Sequence, residues 1–362
     1  MKVQKINEIT FQTEETILNA VQSSETELVL LLNSGLVLRV DMTTRQATPL
    51  FVAKDDFTYA DGGFDITSPT SIYTLDQIVV VVNDLKVHGF IHYPGQFKKL
   101  RFSRKDYYAD ISTYPVALYN NPEGVPHLIY GEAWNHIQIM NLNTRQILTA
   151  DKSLIEVDAE KRHLDFYQQY EEHNTHAWPT PYNYFFGKLK LSPDQRYFAS
   201  AGWIWGSADC YRIFDVETFL KEHRISGIQI GFWEHENRSC CWVNHNTIAV
   251  LYSPFMEGDE DATKETPYEI HYYTIKDSQA QLSKKILLEH NPQMINASMH
   301  YDSAWDVFIF VADQKCQVVS ATGKSLFSED GFAITNYNQE TRTLLCINEK
   351  TIELYSIVQE EQ

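Results

Sequence analysis

Long apolar runs, positive charge, paired cysteines and helical periodicity are all scarce in this chain, and each shortage removes a class of protein. No stretch approaches the ~20 consecutive apolar residues that span a bilayer, and the opening MKVQKINEITFQTEE has no apolar core of a secretory signal. Lys and Arg number 30 against 48 Asp and Glu, a formal net charge of −18. Such a field repels phosphate backbones and anionic headgroups, so neither nucleic acid nor membrane is expected as a partner. The five cysteines, Cys210, Cys240, Cys241, Cys316 and Cys346, are odd in number and lie mostly in strand-like runs. That usage predicts reduced thiols and a cytoplasmic setting. Adjacent Cys240 and Cys241 lack metal-ligand spacing, and strand alternation sends their thiols to opposite faces. No nucleophile elbow, phosphate-cradling glycine loop or string of metal ligands occurs, so no cofactor and no metal is expected.

What the chain does contain is aromatic residues, 21 Tyr, 19 Phe and 7 Trp, which suit pleated strands better than helices. Short apolar runs are punctuated by polar turns along the whole of the 362 residues. Two of these turns match: Asp41-Met42-Thr43-Thr44-Arg45-Gln46 and Asn141-Leu142-Asn143-Thr144-Arg145-Gln146. One unit lies between them, which sets a period of about 50 residues, the range of propeller blades. A third such turn, Asp215-Val216-Glu217-Thr218, arrives late, and an insertion over residues 151–183 accounts for the delay. In each, a short Asp or Asn side chain and a following Thr cap a tight reversal. Seven units result, the last with only three strands, and an orphan strand at residues 3–11 supplies the fourth. The expectation is one all-β domain over 1–362, a seven-bladed β-propeller closed by its N-terminal strand. A helix and loop are inserted between blades 3 and 4; six or eight blades are the near alternatives.

LSPDQRYFASAGW followed by YRIFDVET carries a family resemblance, in Ser192, Pro193, Asp194, Tyr197, Phe198, Ala199, Ser200, Ile213, Phe214 and Asp215. It resembles a WD40-type repeat, in which a Ser-Pro-Asp-Gly-like turn separates two strands and a later strand ends in Trp-Asp or Phe-Asp. The other units are degenerate, and the sole Trp-Asp pair, Trp305-Asp306, begins a strand instead of ending one. The resemblance implies a fold and brings no catalytic residues; propellers of this kind most often hold proteins together, and some are enzymes.

The insertion is the most unusual segment. Its first half, with Leu154, Val157, Leu164, Phe166, Tyr167 and Tyr170, predicts a short amphipathic helix. Its second half sets His173, His176, Trp178, Tyr182, Tyr184, Phe185 and Phe186 around Pro179 and Pro181, which argues against a central strand and for a loop. Loop-borne rings are what interfaces favour, so His173, His176, Trp178, Tyr182, Tyr184 and Phe185 are the expected partner-binding residues. The alternative is that these rings fold back onto their own propeller. His173 and His176 lack a third zinc ligand, and the Glu257–Asp261 run lacks calcium-loop spacing and reads as a solvated loop. Trp203 and Trp205 share one side of a strand; between-blade packing is the first expectation for them and a pocket on the face the second. For an enzyme, Asp65, Glu132, His136, Asp209, His245, His271 and Asp302 would have to converge in the central channel. The expected function is a non-catalytic scaffold binding another protein; the alternative is a hydrolase or lyase acting on a sugar or lactone in the channel, and a third reading is a ring that binds a small ligand without turning it over.

Overall fold

The computed structural model describes residues 1–11, 14–54, 62–169, 182–205, 208–234, 239–254, 261, 263, 266–292, 297–312, 315–331 and 334–358, with backbone alone at 232–234 and 330. The matching turns form for the reason their residues suggest. Asp41 Oδ1 accepts from the amides of Thr43 and Thr44, both at 2.8 Å. Asn141 Oδ1 accepts from Asn143 and Thr144 at 2.9 and 3.1 Å. Arg45 and Arg145 take the same left-handed place, with φ of 59° and 61°. At Asp215 the cap is kept but its use changes: its side chain accepts from Thr218 N at 2.9 Å and opens a helix in place of the expected reversal.

Every sheet is an antiparallel meander. The chain starts with β1 (Lys2–Thr10), then builds blade 1 from β2 (Ile17–Gln22), β3 (Glu27–Leu32), β4 (Leu36–Asp41) and β5 (Ala47–Val52). Blade 2 holds β6 (Thr70–Leu75), β7 (Ile78–Asn83), β8 (His88–Tyr93) and β9 (Phe97–Ser103). Blade 3 has three strands, β10 (Val116–Asn120), β11 (Pro126–Ala133) and β12 (His136–Asn141), and the insertion with α1 (Ala159–Gln169) follows. Blade 4 holds β13 (Phe185–Leu191), β14 (Tyr197–Ile204), β15 (Ala208–Asp215), then α2 (Val216–Lys221) and β16 (Ile228–Glu234). Blade 5 is β17 (Cys240–Trp242), β18 (Thr247–Tyr252), β19 (Glu269–Lys276) and β20 (Gln279–Leu287). Blade 6 is β21 (Ser298–Asp302), β22 (Val307–Ala312), β23 (Lys315–Ser320) and β24 (Ser325–Asp330). Blade 7 is β25 (Ile334–Asn338), β26 (Thr343–Asn348) and β27 (Thr351–Val358), completed by β1, which pairs antiparallel with β27 from Lys2↔Val358 to Thr10↔Thr351. Joining first and last strands in one sheet leaves no terminal blade with an open face.

The core is divided among the gaps between blades. Seven apolar clusters fill them, from the blade 1–2 gap around Val29, Val37, Val79 and Phe90 to the blade 7–1 gap around Leu28, Leu30, Leu345 and Leu354. A strand with a gap on each side buries both faces, so Val79, Val80, Val81 and Val82 are all fully buried and the run is continuously apolar. Each such side chain contributes roughly 1.5–3 kcal/mol relative to exposure.

Among the described residues blade 3 has no fourth strand: its chain leaves, after the Met140↔Ile147 bridge, to form the insertion. The insertion is latched to blade 4 by a short parallel pairing at Glu156↔Ile225, with Val157 N to Ile225 O at 2.9 Å and Ile225 N to Ile155 O at 3.1 Å. Among the described residues no helix is long and apolar enough to cross a membrane.

Candidate functional site

In a four-stranded meander, the turn between second and third strands and the connection to the next blade fall at the same end, here called the upper face. On that face, blades 2 to 4 bring together a cluster of aromatic rings. Its foundation is Arg104, just after β9. The buried guanidinium donates to the carbonyls of Lys86 at 2.8 Å, Asp84 at 3.1 Å, Ala109 at 2.8 Å, Ser112 at 2.7 Å and Thr113 at 3.4 Å. It also lies over the Tyr114 ring at 4.7 Å. Burial pulls its pKa down to about 10, which leaves it charged at neutral pH. One planar fork therefore fixes the shape of the whole 105–113 connection.

That connection presents Tyr107 and Tyr108, in edge-to-face contact at 4.8 Å. Tyr108 adopts φ 53°, a left-handed conformation that is strained for a bulky side chain. From blade 3, the β11–β12 turn adds Trp134; from blade 4, the end of β14 adds Trp203 and Trp205. Phe185, at the start of β13, lies beneath them: it stacks on Trp203 at 3.7 Å and meets Trp134 at 4.3 Å. Trp203 Nε1 donates to Ser112 Oγ at 3.2 Å, tying blade 4 to the connection from blade 2. Gly202 allows the close approach, since a Cβ there would lie 2.2 Å from Phe185 O. Tyr107, Tyr108 and Trp205 remain 48%, 38% and 45% exposed, and Trp205 reaches both tyrosines at 6.3 and 5.3 Å. Glu132 and His136 border the cluster, their side chains 3.0 Å apart, and burial keeps the imidazole below its ordinary pKa. Exposed Lys105, Asp106 and Asp110 complete the rim.

Of the residues expected to bind a partner, His173, His176 and Trp178 lie outside the described residues, as does most of the Glu257–Asp261 run. Tyr182, Tyr184 and Phe185 are buried, and the loop expected around them is corrected: Phe185 and Phe186 open the innermost strand of blade 4, with both prolines preceding it. Tyr182, Tyr184 and Phe186 pack in the gap between blades 3 and 4, and Tyr184 Oη donates to Ser200 O at 2.9 Å. Their rings offer no surface to a partner. Nor is between-blade packing the role of Trp203 and Trp205, which stand on the upper face. The helix is present as α1, with Leu164, Phe166 and Tyr167 exposed.

The seven acids and histidines that an enzyme would have to gather do not converge. Asp65 is fixed on the upper face by Lys86 at 2.8 Å and by the hydroxyls of Thr67 and Ser68 at 2.7 and 2.8 Å. Glu132 and His136 pair with each other, Asp209 is buried on β15, and His245 is exposed in a turn. His271 stacks on Tyr252 at 4.3 Å and bonds Glu269 at 2.6 Å; Asp302 caps the β21–β22 turn and pairs with Arg342 at 3.0 Å. None of the seven lines the channel, and the described residues contain no group of three or more His, Cys, Asp or Glu placed to hold a metal.

Asp65 yields a pH prediction. Hydrogen bonding from Lys86, then from Thr67 and Ser68, holds its carboxyl far below the usual carboxylate range. A depressed folded pKa gives stability that is present above the unfolded value near 4 and lost as pH falls through the folded value. The expected result is that Asp65→Asn flattens the fall in denaturation midpoint below pH 4, and an unchanged slope counts against it.

The ring of seven meanders with its closing strand makes this chain a WD40-like seven-bladed β-propeller. It is similar over its length to the solved Neurospora crassa Pan2 WD40 domain, with a TM-score of 0.53 and 9% identity, covering 99% of this chain and 97% of that one. At that identity the likeness is one of fold. No protein-family model matches the chain, and no curated protein matches it.

The doublet Tyr107-Tyr108 was the site signal available in the sequence: two large rings between Lys105-Asp106 and Ala109-Asp110, in a polar connection between two blades.

Proposed function

We propose that this propeller is a non-catalytic scaffold that binds another protein, and that the partner docks on the aromatic cluster of the upper face. The observation that carries the proposal is the joint exposure of Tyr107, Tyr108 and Trp205 on a rigid floor of Trp203 and Phe185. Large rings with few rotamers provide contact area at low entropic cost, which is why they dominate binding energy at interfaces. The strained backbone of Tyr108 supports the same reading, since such conformations persist where the surroundings over-determine them and cluster at working sites. WD40-like propellers commonly serve as protein-interaction platforms, and the net charge of −18 favours encounter with basic partners.

The test compares the partners retained by the wild-type chain with those retained by a Tyr107→Ala/Trp205→Ala double variant. Both side chains are half-exposed, so the fold should hold and the melting temperature should stay within a few degrees. Affinity for a partner using this face is expected to fall about tenfold or more. A Leu164→Ala/Tyr167→Ala control on α1 should leave it unchanged. Full retention by the first variant together with loss by the second would move the interface to the insertion.

A further inference from the structure

The central channel, apart from the upper-face cluster, carries an unusual charge. Its wall is made by the innermost strands, and on β13 the alternation of Lys188, Leu189 and Lys190 turns the two lysines into the ring. Residues two apart on one face of a strand are separated by about 7 Å. His300, on β21 of blade 6, faces them across a cavity of about 790 Å³. The other polar groups around it are Asn19 of β2, Ser71 of β6, Ser298 of β21, and Thr335 and Asn336 of β25, with Gln339 and the carboxylate of Glu340 where the cavity reaches the β25–β26 turn.

These cations are poorly compensated. Lys190 Nζ donates to Met299 O at 3.3 Å and to Cys240 O, neutral carbonyls of blades 6 and 5. Lys188 reaches channel water, yet makes no hydrogen bond and no ion pair within 4 Å among the described residues. Neither nitrogen of His300 is engaged there either; its ring meets only Tyr337, edge-on at 5.2 Å. The acid closest to Lys188 in effect is Asp84, which offsets its charge in part: Oδ2 accepts from Ser71 Oγ at 2.9 Å, and the buried Oδ1 has no hydrogen-bond partner. Glu27 and Asp76 sit toward the lower mouth, outside this lining. Being enclosed by protein, then lying beside Lys190, lowers the pKa of Lys188, and the same enclosure with both lysines lowers His300 well below its ordinary value. Gathering like charges in a confined space costs free energy unless an opposite charge joins them.

We propose that the channel is a binding site for a phosphate-bearing small molecule, held by Lys188 and Lys190 with His300 and the hydroxyl and amide groups around them. Two lysines from neighbouring positions on the same side of one strand can both reach a single phosphate group. The flanking neutral donors suit the oxygens of the ligand body.

Titration calorimetry at fixed ionic strength tests this with three probes: inorganic phosphate, pyrophosphate and glycerol 3-phosphate. One-to-one binding is expected, weakened at least tenfold by Lys188→Met and retained by Lys188→Arg. Lys190 also braces two blades, so Lys188 is the cleaner position, and the melting temperature of Lys188→Met without ligand should equal or exceed that of the wild type. Glycerol 3-phosphate binding more tightly than inorganic phosphate assigns an organic phosphate; equal affinity assigns the free ion. Absence of binding by all three at millimolar concentration, or equal binding by wild type and Lys188→Met, overturns the proposal. The Tyr107→Ala/Trp205→Ala variant should bind the probes as the wild type does, so this site and the protein-docking face succeed or fail separately.

Discussion

Arg212→Met is expected to lower the unfolding free energy by about 3–5 kcal/mol, the range for breaking a buried ion pair from one side. Arg212 projects from β15 into the gap between blades 3 and 4, its side chain only 13% exposed. Its guanidinium lies over the adjacent rings of Tyr182 and Tyr184, at 5.1 and 5.3 Å, donates to Tyr182 Oη at 3.1 Å and pairs with Glu156. Glu156 belongs to the insertion, and its backbone is the point where the insertion pairs with Ile225. One side chain of blade 4 thus grips the insertion at a carboxylate and a phenol that lie 26 residues apart in sequence. Removing it leaves Glu156 with Arg162, at 2.7 Å and largely exposed, as its remaining partner. Methionine fills the hydrophobic part of the volume, so the loss reads the polar latch more than a cavity. Denaturant titration measures the stability loss, and limited proteolysis within 151–169 should quicken relative to the rest of the chain. A midpoint equal to that of the wild type would show that the latch is incidental to the fold.

The fold was legible because its signals are local and repeated. DMTTRQ and NLNTRQ announce their period by residue identity, and each residue acts in the turn as its chemistry suggests: an Asp or Asn that caps, a Thr that follows, an Arg in left-handed conformation. Closure by the N-terminal strand was legible by counting, since a three-stranded last unit and a solitary first strand complement one another. What was not legible depends on how one blade faces the next. The prolines before Tyr182 suggest a loop, and they do precede the strand, but the rings after them are claimed by a gap whose other wall comes from blade 3. Trp203 and Trp205 alternate as strand residues should, and only the position of the 105–113 connection decides that their side is the upper face. Lys188-Leu189-Lys190 is the clearest case. In an ordinary half-buried strand, alternating lysines mark the solvent side; in the innermost strand of a ring, that side is an enclosed channel. The pattern is correct in both, and its physical consequence is opposite.

Arg104→Met should combine a stability loss of at least about 3 kcal/mol with loss of the docking face. Five carbonyls from two segments, 84–86 and 109–113, converge on this guanidinium. Asp84 O keeps the amide of Tyr114, but each of the other acceptors stranded by its removal costs roughly 1–3 kcal/mol unless water replaces the donor. The loop is therefore expected to give way first, because its other ties are few: Lys105 N to Glu132 O at 2.8 Å, Tyr114 N to Asp84 O at 2.7 Å, and Trp203 Nε1 to Ser112 Oγ at 3.2 Å. Once it moves, Tyr107 and Tyr108 leave the floor made by Phe185 and Trp203, and Tyr108 can relax from its φ of 53°. Arg104→Lys should recover little, since a point charge with three donors cannot reproduce a planar fork that serves five acceptors. Lys276→Ala, exposed at the end of β19 in blade 5 and away from the cluster, is the neutral control. Measured together, a lowered denaturation midpoint and partner binding reduced as far as in Tyr107→Ala/Trp205→Ala would place Arg104 as the residue that shapes the interface without touching it. If Arg104→Met lost stability yet bound its partner fully, the 105–113 connection would hold its form by other means, and the partner would not depend on its tyrosines.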